Sequence, residues 1–303
     1  MIAAGIDLGG TKSEVQLFDT EWNRVDARRD PTPREYPDLL ELMADQIAWA
    51  EARAGGALPI GIGAAGLVDR NGNAFAANLS AHGHPFPAEI AARAQGPVSY
   101  VNDCRALALS EAIFGAGRGH DRVMSLILGT GIGGGLAVGG ALSSGPTGLG
   151  GEYGHVPMPA HLAAAFDLPI LRCGCGRDGC YETVLAGPGL SRWAERRLGD
   201  PLLPVEVAGR RSTEPEVAAL WRDWCAVAAQ LLLPMVQLAD PDCIVVAGGM
   251  SHIAGLPIDL SNALAAAQFD GFAIPQILCA EGGDASGAKG AAYAAWQEAG
   301  HGG

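Results

Sequence analysis

Three cysteines stand within eight residues, in the segment CGCGRDGC at positions 173–180. The thiolates of Cys173, Cys175 and Cys180 would be one ligand short of the closed tetrahedral sites in which proteins hold structural zinc. His155, in GEYGH, lies 18 positions before Cys173 and is the candidate for the fourth ligand, with His161 as its rival. Because buried thiols alone do not explain such close spacing among glycines, we expect a structural metal site on the three cysteines and one of these histidines, with His155 the first candidate.

Two glycine-rich turns interrupt strand-like sequence, DLGGTK at residues 7–12 and GTGIGGG at residues 129–135. Glycine lets backbone N–H groups approach and surround phosphate oxygens. Thr11 and Thr130 can add hydroxyl donors, and Asp7 at a strand end could hold Mg²⁺ directly or through water. Either turn alone also fits an ordinary hairpin. The second turn matches G-x-G-x-x-G, but strand-like sequence follows it where a dinucleotide fold requires a helix.

An acidic residue follows a strand-like segment near the middle of the chain. Asp103 comes after VSYVN and begins a stretch with helical character. A carboxylate in that place could accept the proton of a hydroxyl group during phosphoryl transfer. The alternative is that Asp103 only caps the helix, as Asp often does.

The order of strands and turns repeats. Strand, glycine turn and strand open the chain and return in VMSLILGTGIGGGLAVGG, which predicts an α/β protein with two related lobes. We place their boundary near residues 115–121. The last helical segment has Asp284 or Ser286 near its N-cap.

Composition excludes several classes of protein. The chain has 303 residues, and its net charge of −13 argues against nucleic acid as a partner. The longest apolar stretch is interrupted by Gln230, Pro234 and Gln237, so we expect no membrane span. No basic segment precedes an apolar core at the N-terminus, which predicts a cytoplasmic protein.

The chain resembles the ROK family of bacterial sugar kinases and repressors over nearly its whole length. Six segments carry the resemblance, in the order DLGGTK, NDCRALALSE, LILGTGIGGG, GEYGH, CGCGRDGCYE and VVAGG. The resemblance implies the two-lobed actin-like, hexokinase-like ATPase fold, with duplicated ribonuclease-H-like lobes and ATP between them. One lobe would contain residues 1–117 and a C-terminal helix at 286–303, and the other residues 118–285. Only six residues precede Asp7, so we expect a kinase without the repressors' helix-turn-helix. A homodimer is the family expectation.

The resemblance also implies roles for individual residues. Asp103 would be the catalytic base, and structural zinc would be held by His155, Cys173, Cys175 and Cys180. Sugar hydroxyls would be bound by Asn102, Glu152, His155, Glu182, Gly66 and Asn78. ATP and Mg²⁺ would be held by residues of both glycine turns and of VVAGG, namely Asp7, Gly9, Gly10, Thr11, Lys12, Gly129, Thr130, Gly131, Gly133, Gly134, Gly248 and Gly249.

The sugar itself follows from a narrower resemblance. RCGCGRDGCYE, LILGTGIGGGL, GEYGH and PTPR most resemble segments of N-acetylglucosamine kinases, which implies transfer of phosphate from ATP to the 6-hydroxyl of N-acetyl-D-glucosamine. Glucose, N-acetylmannosamine and fructose stay open, because Ala65, Cys104 and Arg105 depart from the family pattern near the presumed sugar. A sugar-sensing protein without catalysis is the alternative from another class, and release of ADP distinguishes it from a kinase.

Overall fold

Two compact units divide the chain of this computed structural model, which describes residues 1–283 and 286–301. The first unit contains Met1–Gly119, Gly135–Gly151 and Glu281–Gly303, and the second contains His120–Gly134 and Glu152–Ala280. Residues 135–151 therefore belong to the first unit, although the sequence prediction assigned them to the second lobe. Close packing explains this, because a Cβ atom at Gly135 would lie 2.9 Å from the Cβ of Ala108 in the first unit. Asp284 lies outside the described residues.

The first unit is built on a five-stranded sheet with the order β3-β2-β1-β4-β7. The first three strands form an antiparallel meander, and β4 and β7 run parallel to β1. Its elements are β1 Ala3–Leu8, β2 Lys12–Phe18, β3 Arg24–Pro31, α1 Tyr36–Ala54, β4 Ile60–Ala64, β5 Leu67–Val68, β6 Ala74–Phe75, α2 Phe86–Ala91, β7 Val98–Asn102, α3 Asp103–Phe114 and, from the C-terminal segment, α10 Ser286–Trp296 and a π-helical turn Gln297–His301.

Helix α10 lies directly on the first sheet because glycines remove the side chains that would separate them. A Cβ atom at Gly5 in β1 or at Gly61 in β4 would come within 1.8 Å of a carbonyl oxygen of α10. Gly290 of α10 meets α3 in the same way, 1.8 Å from the carbonyl oxygen of Ala106. No side chain fits these contacts, so the C-terminal helix is an integral part of the first unit.

A buried carboxylate fastens the segment that leads into α10. Glu111, fully buried in α3, accepts hydrogen bonds from the N–H groups of Ala116, Glu281 and Gly282 at 2.9–3.0 Å. The Ser286 hydroxyl donates to the same carboxylate at 2.9 Å. Four donors compensate the cost of burying the charge, so the helix α3 and the C-terminal segment hold each other in place.

The second sheet has the order β10-β9-β8-β11-β12 and repeats the plan of the first. β10 is antiparallel to β9, while β11 and β12 run parallel to β8. The internal repeat expected from the sequence is therefore present in the strand order. The elements are β8 Arg122–Leu128, β9 Ile132–Val138, β10 Ala141–Leu142, α4 Ala160–Ala165, α5 Glu182–Leu185, α6 Gly187–Leu198, α7 Pro204–Arg210, α8 Pro215–Ala239, β11 Cys243–Ala247, α9 Leu256–Ala267 and β12 Gln276–Cys279, with 3₁₀ turns at Tyr153–His155 and Gly249–His252.

Helix α8 accounts for the long apolar stretch of the sequence. It buries Trp224, Ala229 and Leu232 in the second unit and continues through Pro234 near its end. Its apolar residues therefore belong to a protein core. Among the described residues, no helix combines the length and the hydropathy needed to cross a membrane.

Candidate active site and metal centre

The structure brings the four predicted metal ligands together in the second unit. Their ligand atoms all lie within 4.8 Å of one another. His155 Nδ1 is 3.5 Å from Cys173 Sγ, and Cys175 Sγ is 3.6 Å from Cys180 Sγ. Ligand atoms of a tetrahedral zinc site are separated by about 3.5–3.8 Å, as metal bonds of about 2.0–2.3 Å require. His161, the other candidate, is exposed on α4 and is not part of this metal-ligand cluster.

The local chain path explains how these thiols meet. The N–H group of Cys173 bonds to the carbonyl of Arg177, and that of Gly176 bonds to the carbonyl of Cys173, which makes a tight loop. Gly176 and Gly179 have φ values of +87° and +73°, a conformation that favours glycine. A bridge between Pro157 and Cys180 then holds this loop beside the segment that carries His155. The glycines of the motif are thus required by the backbone.

The thiols of the cluster differ in acidity. Burial raises the pKa of Cys180 to about 12 and also raises the pKa of Cys173. At Cys175 burial acts in the same direction, but hydrogen bonds from the backbone and side chain of Arg177 outweigh it, and its pKa is about 6. Because zinc binds thiolates, metal binding has to displace protons from the thiols that are protonated at neutral pH.

His155 has different neighbours at its two ring nitrogens. Nδ1 faces the cluster, while Nε2 lies 3.6 Å from Glu152 Oε2. A carboxylate beside the outer nitrogen of a metal-binding histidine fixes the orientation of the ring. Glu152 is therefore placed to support His155, in addition to its predicted contact with sugar.

Glu182, the first residue of α5, contacts both the metal-ligand cluster and the second glycine turn (residues 129–131). Its Oε2 accepts a hydrogen bond of 2.7 Å from the N–H group of Ile132, the residue that directly follows the turn and begins β9. Its Oε1 lies 3.7 Å from Cys173 Sγ and 4.0 Å from His155 Nδ1. The sequence predicted only a sugar contact for this residue and missed its contact with the turn.

The second glycine turn has further supports inside the second unit. Gly129 donates its N–H to the carbonyl of Gly131 and accepts a hydrogen bond of 2.9 Å from the N–H group of Gly187 at the start of α6. A Cβ atom at Gly129 would lie 3.9 Å from the nitrogen of Gly249, so the turn adjoins the VVAGG segment. Gly248, with φ +84°, packs against the carbonyl of Leu128. Gly129, Gly248 and Gly249, all predicted to bind nucleotide, are therefore neighbours in the second unit.

The motif glycine Gly134 is required by packing. A Cβ atom there would lie 2.1 Å from the carbonyl oxygen of Ser125 and 2.7 Å from the ring of Tyr153. Gly134 lies within β9, beyond the turn. Its predicted contact with nucleotide stays a prediction, as does that of Gly133 in the same strand.

The first glycine turn (residues 9–11) connects β1 to β2 in the first unit. Gly9 donates its N–H to the carbonyl of Lys12 at 3.0 Å. Thr32, just after β3, donates its hydroxyl to the carbonyl of Gly9 at 2.7 Å and its N–H to that of Thr11 at 3.1 Å. A Cβ atom at Gly10 would lie 2.9 Å from the carbonyl oxygen of Asn78. The predicted phosphate turn and a predicted sugar residue are therefore neighbours.

Asp7, the predicted magnesium residue, is half-buried near the end of β1. A Cβ atom at Gly287 would lie 3.2 Å from its Oδ1, so the carboxylate packs against the first turn of α10. Glycine at that place leaves room for the acid beside the helix. The C-terminal helix therefore helps to position a residue from the start of the chain.

The N-cap residue of α3 is Asn102, not Asp103. Asn102 Oδ1 accepts hydrogen bonds from the N–H groups of Cys104 and Arg105, and its Nδ2 donates to the carbonyl of Gly66 at 2.9 Å. Asp103 is the first helical residue and its Oδ1 accepts a bond of 2.9 Å from the N–H group of Cys104. Since a neighbour already caps the helix, capping alone does not account for an acid at position 103.

A cavity of about 500 Å³ lies within the first unit and has the size of a small-molecule site. The predicted sugar residues Gly66 and Asn102 line it, together with residues that the sequence did not single out as binding residues, namely Leu67, Val68, Asp69, Arg70, Tyr100, Val101, Arg105, Ser144, Pro146, Thr147 and Gly148. Residues 143–148, SSGPTG, end two residues before the Gly-Glu-x-Gly-His motif begins at Gly151. Their serine, threonine and glycine content was the available signal that they line a site.

Arg105 is the buried charge of this cavity, with 2% of its surface exposed. Its Nη1 donates to Asn102 Oδ1 at 2.7 Å and its Nη2 donates to the carbonyl of Gly148 at 3.2 Å. The guanidinium group thereby joins the cap of α3 to the loop at residues 143–150. Sequence comparison with the family pattern marked Arg105 as a departure, but only its contacts reveal what it holds.

Each unit therefore brings together its own set of predicted residues. The first unit contains Asp7, the first glycine turn, Gly66, Asn78, Asn102 and Asp103, and the second contains the second glycine turn, Glu152, Glu182, the metal-ligand cluster, Gly248 and Gly249. The roles that the sequence assigned to these residues stay predictions.

Comparison with known proteins identifies the family. Residues 3–298 match the ROK family. The chain belongs to this family. An N-acetylgalactosamine kinase, AgaK, of Shewanella sp. (strain ANA-3) is 36% identical over 291 residues, which cover 95% of this chain and 94% of the relative. An N-acetyl-D-glucosamine kinase of Yersinia pseudotuberculosis is likewise 36% identical over 296 residues, covering 95% and 97%.

Solved structures of ROK proteins agree with the fold. The ROK hexokinase of Thermus thermophilus has a TM-score of 0.86 and 30% identity, with 99% of both chains covered. A ROK glucokinase from Streptomyces griseus, solved with glucose and AMPPNP, has a TM-score of 0.76 and 28% identity over 98% of this chain and 100% of the other. The family, the actin-like α/β fold and the sugar-kinase function expected from the sequence are confirmed by these similarities.

Proposed function

We propose that this ROK protein transfers the γ-phosphoryl group of ATP to the 6-hydroxyl of an N-acetylhexosamine, with N-acetyl-D-glucosamine as the preferred substrate. The observation that carries the proposal is the end of β7, where Asp103 follows a cap residue that lines a cavity of about 500 Å³. Two relatives named as N-acetylhexosamine kinases, at 36% identity, support an N-acetyl sugar over glucose. One of them is named for galactosamine, so N-acetyl-D-galactosamine is the second candidate.

In the proposed reaction Asp103 accepts the proton of the sugar 6-hydroxyl as its oxygen attacks the γ-phosphorus. The bond from that phosphorus to the oxygen of ADP breaks, and ADP leaves. Amide groups of the two glycine turns would stabilise the charge of the phosphates, and Asp7 would hold Mg²⁺, which supplies further charge neutralisation. Gly66, Asn78, Asn102, Glu152, His155 and Glu182 would bind the sugar, as the family motif implies.

The metal-ligand cluster fits structural zinc. Three thiols and one imidazole form the donor set, and the separations of His155 from Cys173 and of Cys175 from Cys180 match a tetrahedral site. Four protein ligands would leave no position for a reactive water. We therefore assign His155, Cys173, Cys175 and Cys180 to zinc that cross-links the GEYGH and CGCGRDGC segments. In this assignment the residues of the cluster orient Glu152 and Glu182 and take no part in the transfer itself.

A coupled assay of ADP release over a panel of sugars tests the proposed function. The panel should contain N-acetylglucosamine, N-acetylgalactosamine, N-acetylmannosamine, glucose and fructose. We expect the highest kcat/KM for N-acetylglucosamine, with a 6-phosphate as product by NMR. A higher value for N-acetylgalactosamine would select the second candidate. Binding of a sugar without ADP release from any of them would favour the sugar-sensing alternative and overturn the kinase proposal.

A further inference from the structure

We infer that Glu182 is a positioning residue for the second glycine turn, and that it couples the metal-ligand cluster to nucleotide affinity. This inference rests on the proposed function, because it takes the turn as part of the nucleotide site. It assigns Glu182 a task besides the sugar contact that the family motif implies. The contacts that carry it all lie within the second unit.

The first contact is between the carboxylate and the backbone of the turn. Oε2 of Glu182 accepts the N–H of Ile132 at 2.7 Å, the short distance expected when the acceptor is charged. A Cβ atom at Gly131 would lie only 2.8 Å from the same oxygen. Glycine at position 131 therefore leaves the space that the carboxylate occupies, and the two residues fit each other.

The second contact is between the other carboxylate oxygen and the cluster. Oε1 lies 3.7 Å from Cys173 Sγ and 4.0 Å from His155 Nδ1, so it adjoins two of the four ligand atoms. Glu182 also follows Cys180 by two residues, at the start of α5. Both its backbone and its side chain are therefore set by the cluster, and a rearranged cluster would move the carboxylate away from Ile132.

The two ends of the turn are held differently. At one end, the carbonyl of Gly129 accepts a hydrogen bond from the N–H group of Gly187, so both partners are backbone groups. At Ile132 the N–H group bonds to the side chain of Glu182. Because the strength of anion binding depends on amides held in place beforehand, loosening the Ile132 end should weaken nucleotide binding even when no sugar is present.

Nucleotide binding in the absence of sugar tests this role. We would measure the Kd for ADP by isothermal titration calorimetry in the wild type, Glu182→Ala and Glu182→Gln, each with its metal content and circular dichroism spectrum. Loss of a charge-assisted hydrogen bond predicts about 10- to 100-fold weaker binding in Glu182→Ala. Glutamine keeps an oxygen acceptor for Ile132, so Glu182→Gln should stay within about threefold of wild type, while its sugar affinity falls.

Two further variants keep the test decisive. Gly131→Ala leaves Glu182 in the chain but puts a Cβ atom against its carboxylate, and it should weaken ADP binding as Glu182→Ala does. Glu195→Ala removes an exposed acid from α6 of the same unit and should leave ADP binding unchanged. If Glu182→Ala fails to fold, the comparison of Gly131→Ala with Glu182→Gln decides.

Coupling to the metal is measured by chelation. Removing the metal should weaken ADP binding to the wild type and add little to the defect of Glu182→Ala, since both act through one contact. Unchanged ADP affinity in Glu182→Ala and Gly131→Ala, with sugar binding alone impaired, would overturn the inference. A wild type that binds ADP but phosphorylates no sugar would remove the proposed function and leave the positioning role intact. A wild type that binds no ADP would overturn both.

Discussion

The two glycine turns have the same strand–turn–strand form and different supports. In the first turn, a neutral hydroxyl and an N–H group of Thr32 bond to the carbonyls of Gly9 and Thr11. In the second turn, a carboxylate bonds to the N–H group of Ile132. Thr32 directly follows the neighbouring strand β3, whereas Glu182 is the first residue of α5, just after the three cysteines.

Because their supports differ, the two turns should depend on different parts of the molecule for their conformation. The first turn depends on the sheet of its own unit, so it should form whenever that unit is folded. The second turn depends on a side chain whose place is set by the metal-ligand cluster. The two sheets share one strand order, but the supports differ: the first turn bonds to Thr32, whereas the chain after the second turn bonds to a side chain that adjoins the metal-ligand cluster.

The largest expected effect is a loss of kcat that leaves nucleotide binding by both turns unchanged. Asp103→Asn keeps a side chain of the same shape but cannot accept the proton, so kcat should fall about 10²- to 10⁴-fold while ADP affinity stays unchanged. Steady-state kinetics and calorimetry measure the two quantities. Asp38→Asn, in the first turn of α1, is the matched control. A variant with more than about a tenth of wild-type kcat would show that Asp103 is not the base.

Removing a ligand of the cluster should affect the second turn. Cys175→Ser should lower metal affinity by at least about 100-fold, and ADP affinity by about tenfold, because Glu182 loses its fixed surroundings. Elemental analysis and calorimetry on protein still folded by circular dichroism check both. Cys279→Ser changes an exposed thiol outside the cluster and should change neither quantity. Metal-free protein with wild-type ADP affinity would contradict the dependence.

Arg105 offers a comparison within the first unit. Arg105→Lys cannot hold Asn102 Oδ1 and the carbonyl of Gly148 together, so the KM for sugar should rise about 10- to 100-fold. ADP affinity should stay the same, because the variant leaves both turns unaltered. Arg53→Lys on the exposed end of α1 is the control. An equal loss of sugar and ADP affinity would indicate that Arg105 stabilises the whole unit.

The smallest effect should come from the first turn. Thr32→Val removes one neutral hydrogen bond to Gly9 and should weaken ADP binding about 2- to 10-fold, whereas Thr32→Ser keeps the hydroxyl and should have little effect. The comparison predicts the same fold-change with and without metal, since the two turns are supported independently. If the effect of Thr32→Val on ADP binding depended on the metal, the two turns would be energetically coupled, and the proposed independence of their supports would be wrong.

Much of this protein follows from the sequence by itself. Alternating and buried apolar patterns predicted the strands that flank both glycine turns, and four side chains of the types that ligate metals, within residues 155–180, predicted the cluster. Asp103 at a strand end was recognisable as a candidate base. These features are local, because the residues that define them are close together in the chain and their meaning depends on spacing.

Tertiary structure decided which distant residues support the site. Ile132 and Glu182 are 50 positions apart, and Arg105 and Gly148 are 43 apart. Residues 135–151 joined the first unit because Gly135 packs against α3. Such contacts depend on how closely packed backbones approach and where one side chain finds a partner, and no spacing pattern encodes either. The residue types were therefore predictable, whereas the supports that hold them depend on the folded chain.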